Sequence, residues 1–113
     1  MTDVNLHMST VAQLASLVEI QEEATVSRTV MKAEGARVVL FAFDKDQVLT
    51  EHTAAMPVLL QTLEGLLRVT ADGRTVDLAP GDVIHLGTRL PHTVEAIEAS
   101  KLMLTMLDPR AVA

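Results

Sequence analysis

Cysteine, tryptophan and tyrosine are absent from this 113-residue chain, and Phe41 and Phe43 are its only phenylalanines. Without cysteine there is no disulfide framework and no thiolate metal site. Two phenylalanines make no platform for stacking bases or sugar rings. Basic residues are also scarce, nine against fifteen acidic ones, which gives a formal charge of -6. A field of that sign repels phosphate backbones and acidic membrane surfaces, so nucleic-acid binding is not expected. No apolar run approaches the roughly 20 residues of a membrane helix, and the start "MTDVNLHMST" has neither a basic nor an apolar leader segment. The expectation is a cytoplasmic protein with no membrane partner.

What the chain does have is aliphatic: 49% of it is hydrophobic, and six methionines soften the mixture. A chain of this length makes a single domain, residues 1–113, large enough to bury a core without a structural metal. The stretch Ser9 to Glu19 reads as its one helical segment, with Ser9 or Thr10 as cap and Val11, Leu14, Leu17 and Val18 on one stripe. Beyond Glu23 the period becomes two. Strands are expected at 25–33, 36–43, 46–50, 57–63, 66–71, 74–79, 83–86, 92–97 and 100–107. Short strands in close succession, with one helix ahead of them, imply an antiparallel sandwich or barrel.

The hairpin "LRVTADGRTVDL" is the sharpest local signal. Asp72-Gly73 between alternating runs predicts a two-residue turn with positive φ. That turn pairs Leu67 with Leu78 and Val69 with Val76 on one face, and Arg68 with Asp77 on the other. Elsewhere the strands "VLLQTL" and "KLMLTML" are apolar on both faces, so their outer faces need cover. A homodimer is the expected source of that cover, with the N-terminal arm as the other.

Chemistry concentrates in two stretches, "EHTAAMPVLLQTLEG" and "PGDVIHLGTRLPHTVEA". Together they resemble the two motifs of the cupins, small jelly-roll barrels, in the RmlC-like, cupin 2 conserved-barrel form. The resemblance covers about residues 36–107, with residues 1–24 as an arm ahead of the barrel core. It implies an all-β antiparallel jelly-roll barrel preceded by the short helix. Counted back from Gly65, the first motif's histidines fall on His52 and Ala54, and its glutamate on Val58. In the second motif Gly81 matches, Gly87 stands for a proline, Arg89 for a glycine, His92 for the histidine, and Ala96 for an asparagine.

The resemblance therefore implies a metal set of which half is missing. A complete cupin site of three histidines and a glutamate suits Fe, Mn, Ni or Zn, whereas this chain keeps His52 and His92. His85 and Glu51 are the candidates for a third donor, and His7 would have to fold back to reach the site. Strand alternation sends Glu51 away from His52, and it leaves the face of His85 undecided because both faces of its strand are apolar. The expected cavity is lined by His52, Ala54, Val58, Leu60, Thr62 and His92. Two readings follow. One is a small-molecule binder in which the histidines orient a carboxylate or carbonyl. The other is a divalent-metal enzyme of dioxygenase, isomerase or decarboxylase type, using His52 and His92. The fold alone does not choose between them. No nucleophile elbow or phosphate loop is present in the sequence.

Overall fold

A computed structural model describes residues 8–108, so His7 lies outside the described residues. Nine strands form within that range. They are β1 (Thr25–Ala33), β2 (Ala36–Phe43), β3 (Val48–His52), β4 (Val58–Glu64), β5 (Leu67–Ala71), β6 (Arg74–Leu78), β7 (Val83–Leu86), β8 (His92–Ala96) and β9 (Ser100–Leu107). They make a five-stranded sheet in the order β1-β2-β9-β4-β7 and a four-stranded sheet in the order β3-β8-β5-β6. All pairings within these sheets are antiparallel. The expected all-β jelly roll is therefore the fold.

Strand ends fall within a residue or so of the sequence expectation except at β3, which starts two residues later than foreseen. Asp46 there has φ 71 and Gln47 N–H donates to the Asp44 carbonyl at 3.1 Å, so the turn consumes residues that read as strand. The hairpin register is as expected: Leu67 faces Leu78, Arg68 faces Asp77, and Val69 faces Val76. Asp72 and Gly73 both have positive φ, at 54 and 67.

The N-terminal helix is a correction. Between Ser9 and Glu19 only Leu14–Leu17 winds, as a single 3-10 turn. Gln13 stands before it in the left-handed region with no side-chain cap, and Val18 after it is extended. The apolar stripe is spent differently. Val18 is buried together with Leu40 and Ala42, while Leu14, Leu17 and Ile20 pack on the same cluster against the outer face of the five-stranded sheet. Tertiary packing of these side chains satisfies them without a helix. Two long side chains pin the segment: Lys101 Nζ donates to the Ala15 carbonyl at 2.6 Å, and Arg28 donates to the Leu17 carbonyl at 3.0 Å.

Between the sheets lies the larger core, in which Phe43, Leu60, Leu67, Leu78, Val94 and Leu102 are almost wholly excluded from solvent. No helix among the described residues is long and apolar enough to cross a membrane.

Candidate functional site

His52 ends β3 and His92 begins β8, and the two are direct partners across that strand pair. The pairing depends on an irregularity. Leu49 faces Val94 and His52 faces His92, so β3 spends three residues where β8 spends two. In a regular strand Leu49 and His52 would point to opposite faces. The bulge restores His52 to the face of Leu49, which packs against the core, and leaves Glu51 exposed. His92 shares its face with Val94 and Ala96, all buried.

The ring centroids lie 4.2 Å apart with their planes tilted by 57°. Each ring is oriented in the same way. His52 Nδ1 lies 2.9 Å from the carbonyl of Thr50, and His92 Nδ1 lies 2.8 Å from the carbonyl of Leu90. A carbonyl only accepts, so the proton of each neutral ring sits on Nδ1 and the lone pair on Nε2. Among the described residues no group pairs with either Nε2. The pair presents two acceptor nitrogens, one on each of two adjacent rings.

Around them the described residues supply no further donor. Ala54 packs against the apolar core, and Val58 and Leu60 belong to it. Thr62 is buried, and its hydroxyl is committed to the Leu78 carbonyl at 2.8 Å. His85 pairs with Leu59 on the outward side of β7 and is exposed, whereas Ile84 and Leu86 turn to the core. It does not join the histidine pair. Among the described residues no three His, Asp or Glu side chains are grouped to hold a metal ion. Catalytic zinc sites typically use three protein ligands, so the donors among the described residues do not fit a resident transition metal.

A cavity of about 340 Å³ lies between β5–β6 and β7, and neither His52 nor His92 is among the residues that line it. Its wall includes Val69, Val76, Ile84, Leu86 and Leu90, with Asp72, Arg74 and His85 at the rim. Two wall residues tie it to the histidines: Ala71 is the strand partner of His92, and the Leu90 carbonyl holds the His92 ring. His52, Ala54, Val58, Leu60, Thr62 and His92 do not line this cavity, and Val58 and Leu60 are packed core. The hairpin register had already put Val69 and Val76 on one face, so the sequence carried a signal for this wall.

Two loops are joined through their backbone. Arg89 N–H donates to the Ala54 carbonyl at 2.9 Å, joining the loop before β8 to the loop after β3. Arg89 has φ 60 at the position where the second cupin motif has glycine.

No protein-family model and no curated protein matches the chain. Solved structures do. A conserved protein of unknown function from Streptococcus pyogenes is 28% identical, with a TM-score of 0.78 over 93% of this chain and 92% of its own. A cupin superfamily protein from Desulfitobacterium hafniense is 25% identical, with a TM-score of 0.79 over 91% of this chain and 94% of its own. A salicylate 1,2-dioxygenase from Pseudaminobacter salicylatoxidans aligns at 15% identity and a TM-score of 0.68, over 73% of this chain and 26% of that one. The last shows the fold alone. By fold the chain is a cupin.

Proposed function

Starting from a cupin barrel that keeps two histidines and lacks the donors around them, we propose that this protein binds a small molecule at the open end of the barrel. His52 and His92 orient the ligand, and the apolar wall beside them takes up its body. The observation that carries this reading is the pair of rings with Nδ1 tied to backbone carbonyls and with no partner for either Nε2 among the described residues. Small-ligand sites combine apolar surface with a few convergent polar atoms, and this cavity mixes Val69, Val76, Leu86 and Leu90 with Asp72, Arg74 and His85. The volume of about 340 Å³ lies within the range such sites span.

The competing reading, a divalent-metal enzyme, has in its favour the same two Nε2 lone pairs. Against it stand the apolar neighbours Ala54 and Val58 and the outward position of His85. Metal content of the untagged protein, measured by elemental mass spectrometry, separates the two. The binder reading expects far less than one transition-metal ion per chain; a stoichiometric metal overturns it.

Association into a homodimer is part of the same proposal. The N-terminal segment covers Leu40, Ala42 and Met103 on the outer sheet face. Farther along that face Val83 is 58% exposed on the edge strand β7. A second copy would cover it. Light scattering at micromolar concentration is expected to report twice the chain mass, and a monomer refutes this part alone.

A further inference from the structure

We infer that the ligand is a neutral molecule with two adjacent hydroxyl groups on a small apolar body, a vicinal diol. This rests on the binding reading above and narrows it to a substrate class. Hydrogen-bond polarity is the argument. A neutral imidazole has one donor and one acceptor, and in both rings the donor is already used on a backbone carbonyl. What remains at each ring is an acceptor. A carboxylate or a carbonyl is also an acceptor, so it meets two lone pairs and gains nothing unless a ring first takes up a proton. The expectation from sequence that the pair orients a carboxylate or carbonyl is thus reversed for the neutral rings: they call for donors.

The two acceptors belong to rings whose centroids lie 4.2 Å apart, close enough for one small molecule with two nearby donors to reach both. Hydroxyls on adjacent carbons supply them, one O–H to each Nε2. The remainder of the site fits an uncharged body. Val69, Val76, Leu86 and Leu90 form an aliphatic wall, and the rim charges of Asp72 and Arg74 are of opposite sign. The chain's net charge of -6 also disfavours an anion. A ligand that lacks one hydroxyl forgoes one of the two hydrogen bonds, so the pair discriminates against it.

The test uses three six-carbon-ring probes on the full chain, with a chelator present to remove adventitious metal. They are the cis vicinal diol of cyclohexane, its mono-methyl ether, and cyclohexanecarboxylate. Binding is followed through the ring protons of His52 and His92 by NMR. The diol is expected to shift both rings and to bind at least about tenfold more tightly than the ether, the worth of one hydrogen bond. In His52→Ala the diol should fall to the affinity of the ether. Equal affinities of diol and ether overturn the assignment, as does tighter binding of the carboxylate. In those two cases ring shifts still report a ligand bound at the histidine pair, so the binder reading survives. Silence from all three probes also overturns the diol, and metal content then decides the binder reading separately.

Discussion

The hydroxyl of Ser100 occupies the space into which a Cβ on Gly65 would project, with the Ala99 carbonyl beside it. Gly65 also has φ +85, so the turn from β4 to β5 needs glycine for two independent reasons. Ser100 cannot easily retreat. It is fully buried, its hydroxyl accepts from Leu66 N–H at 3.0 Å, and it lies 2.7 Å from the Glu98 carbonyl, to which it donates. This contact locks the β4–β5 turn to the β8–β9 turn. Gly65→Ala is expected to destabilise the protein by about 3 kcal/mol or more, the sum of left-handed strain and overpacking. Urea unfolding measures it, and a loss below about 1 kcal/mol would show that the two turns are free to part.

Arg89 gives the opposite case. It holds φ 60 without glycine's freedom. A left-handed residue with a side chain costs roughly 1 kcal/mol. Arg89→Gly should therefore stabilise the protein or leave it unchanged, with a gain of up to about 1 kcal/mol after the added freedom of the unfolded chain is counted. Thermal unfolding decides the sign. A clear loss would mean that the guanidinium makes contacts worth more than the strain.

These two positions show what the sequence could and could not reveal. Gly65 and Gly81 were recognisable as motif glycines, and both have positive φ, at 85 and 97. The hairpin around Asp72-Gly73 was legible because turn chemistry, apolar alternation and the Arg68–Asp77 pair all select one register. The failures were non-local. A stripe at Val11, Leu14, Leu17 and Val18 fits a helix, but Leu14, Leu17 and Val18 pack on the sheet from an irregular chain, and only the sheet's presence decides. The placement of His52 hung on a bulge between Leu49 and His52 that no residue type announces. The face of His85 was undecidable because Val83, Ile84 and Leu86 are all apolar; burial of Leu86 and Ile84 settles it.

Arg68 and Asp77 join by two hydrogen bonds, Nε to Oδ1 at 2.8 Å and a terminal nitrogen to Oδ2 at 3.2 Å. The bonded guanidinium holds the Asp77 carboxyl below its ordinary value, and the same bond raises Arg68. A carboxyl lowered on folding stabilises the fold above the unfolded pKa. That contribution disappears as pH falls through the lowered folded value. Wild type and Asp77→Asn should thus differ most near neutral pH and converge below the usual carboxylate range. The difference will be small, because the pair is exposed, and smaller still in high salt. Unfolding midpoints at several pH values test it. A gap that widens in acid would contradict the sign.

His52 and His92 carry the last prediction, because the functional argument depends on how their rings are held. Both neutral rings should be the Nδ1–H tautomer, with Nε2 free, since the Thr50 and Leu90 carbonyls can accept only from a protonated nitrogen. Long-range proton–nitrogen NMR distinguishes the two ring nitrogens directly. A protonated Nε2 with a bare Nδ1 in either ring would remove the paired acceptors and the ligand class inferred from them. The rings should also sense each other. At 4.2 Å between centroids, His52→Ala removes an aromatic neighbour and must move the ring protons of His92. His85→Ala removes an exposed ring from the outward side of β7 and should leave both members of the pair where they are. If His92 responds to loss of His85 and not to loss of His52, the bulge in β3 does not turn His52 inward. The pair would then be no pair, and the ligand would have to be sought along the apolar wall between Val69 and Leu90 alone.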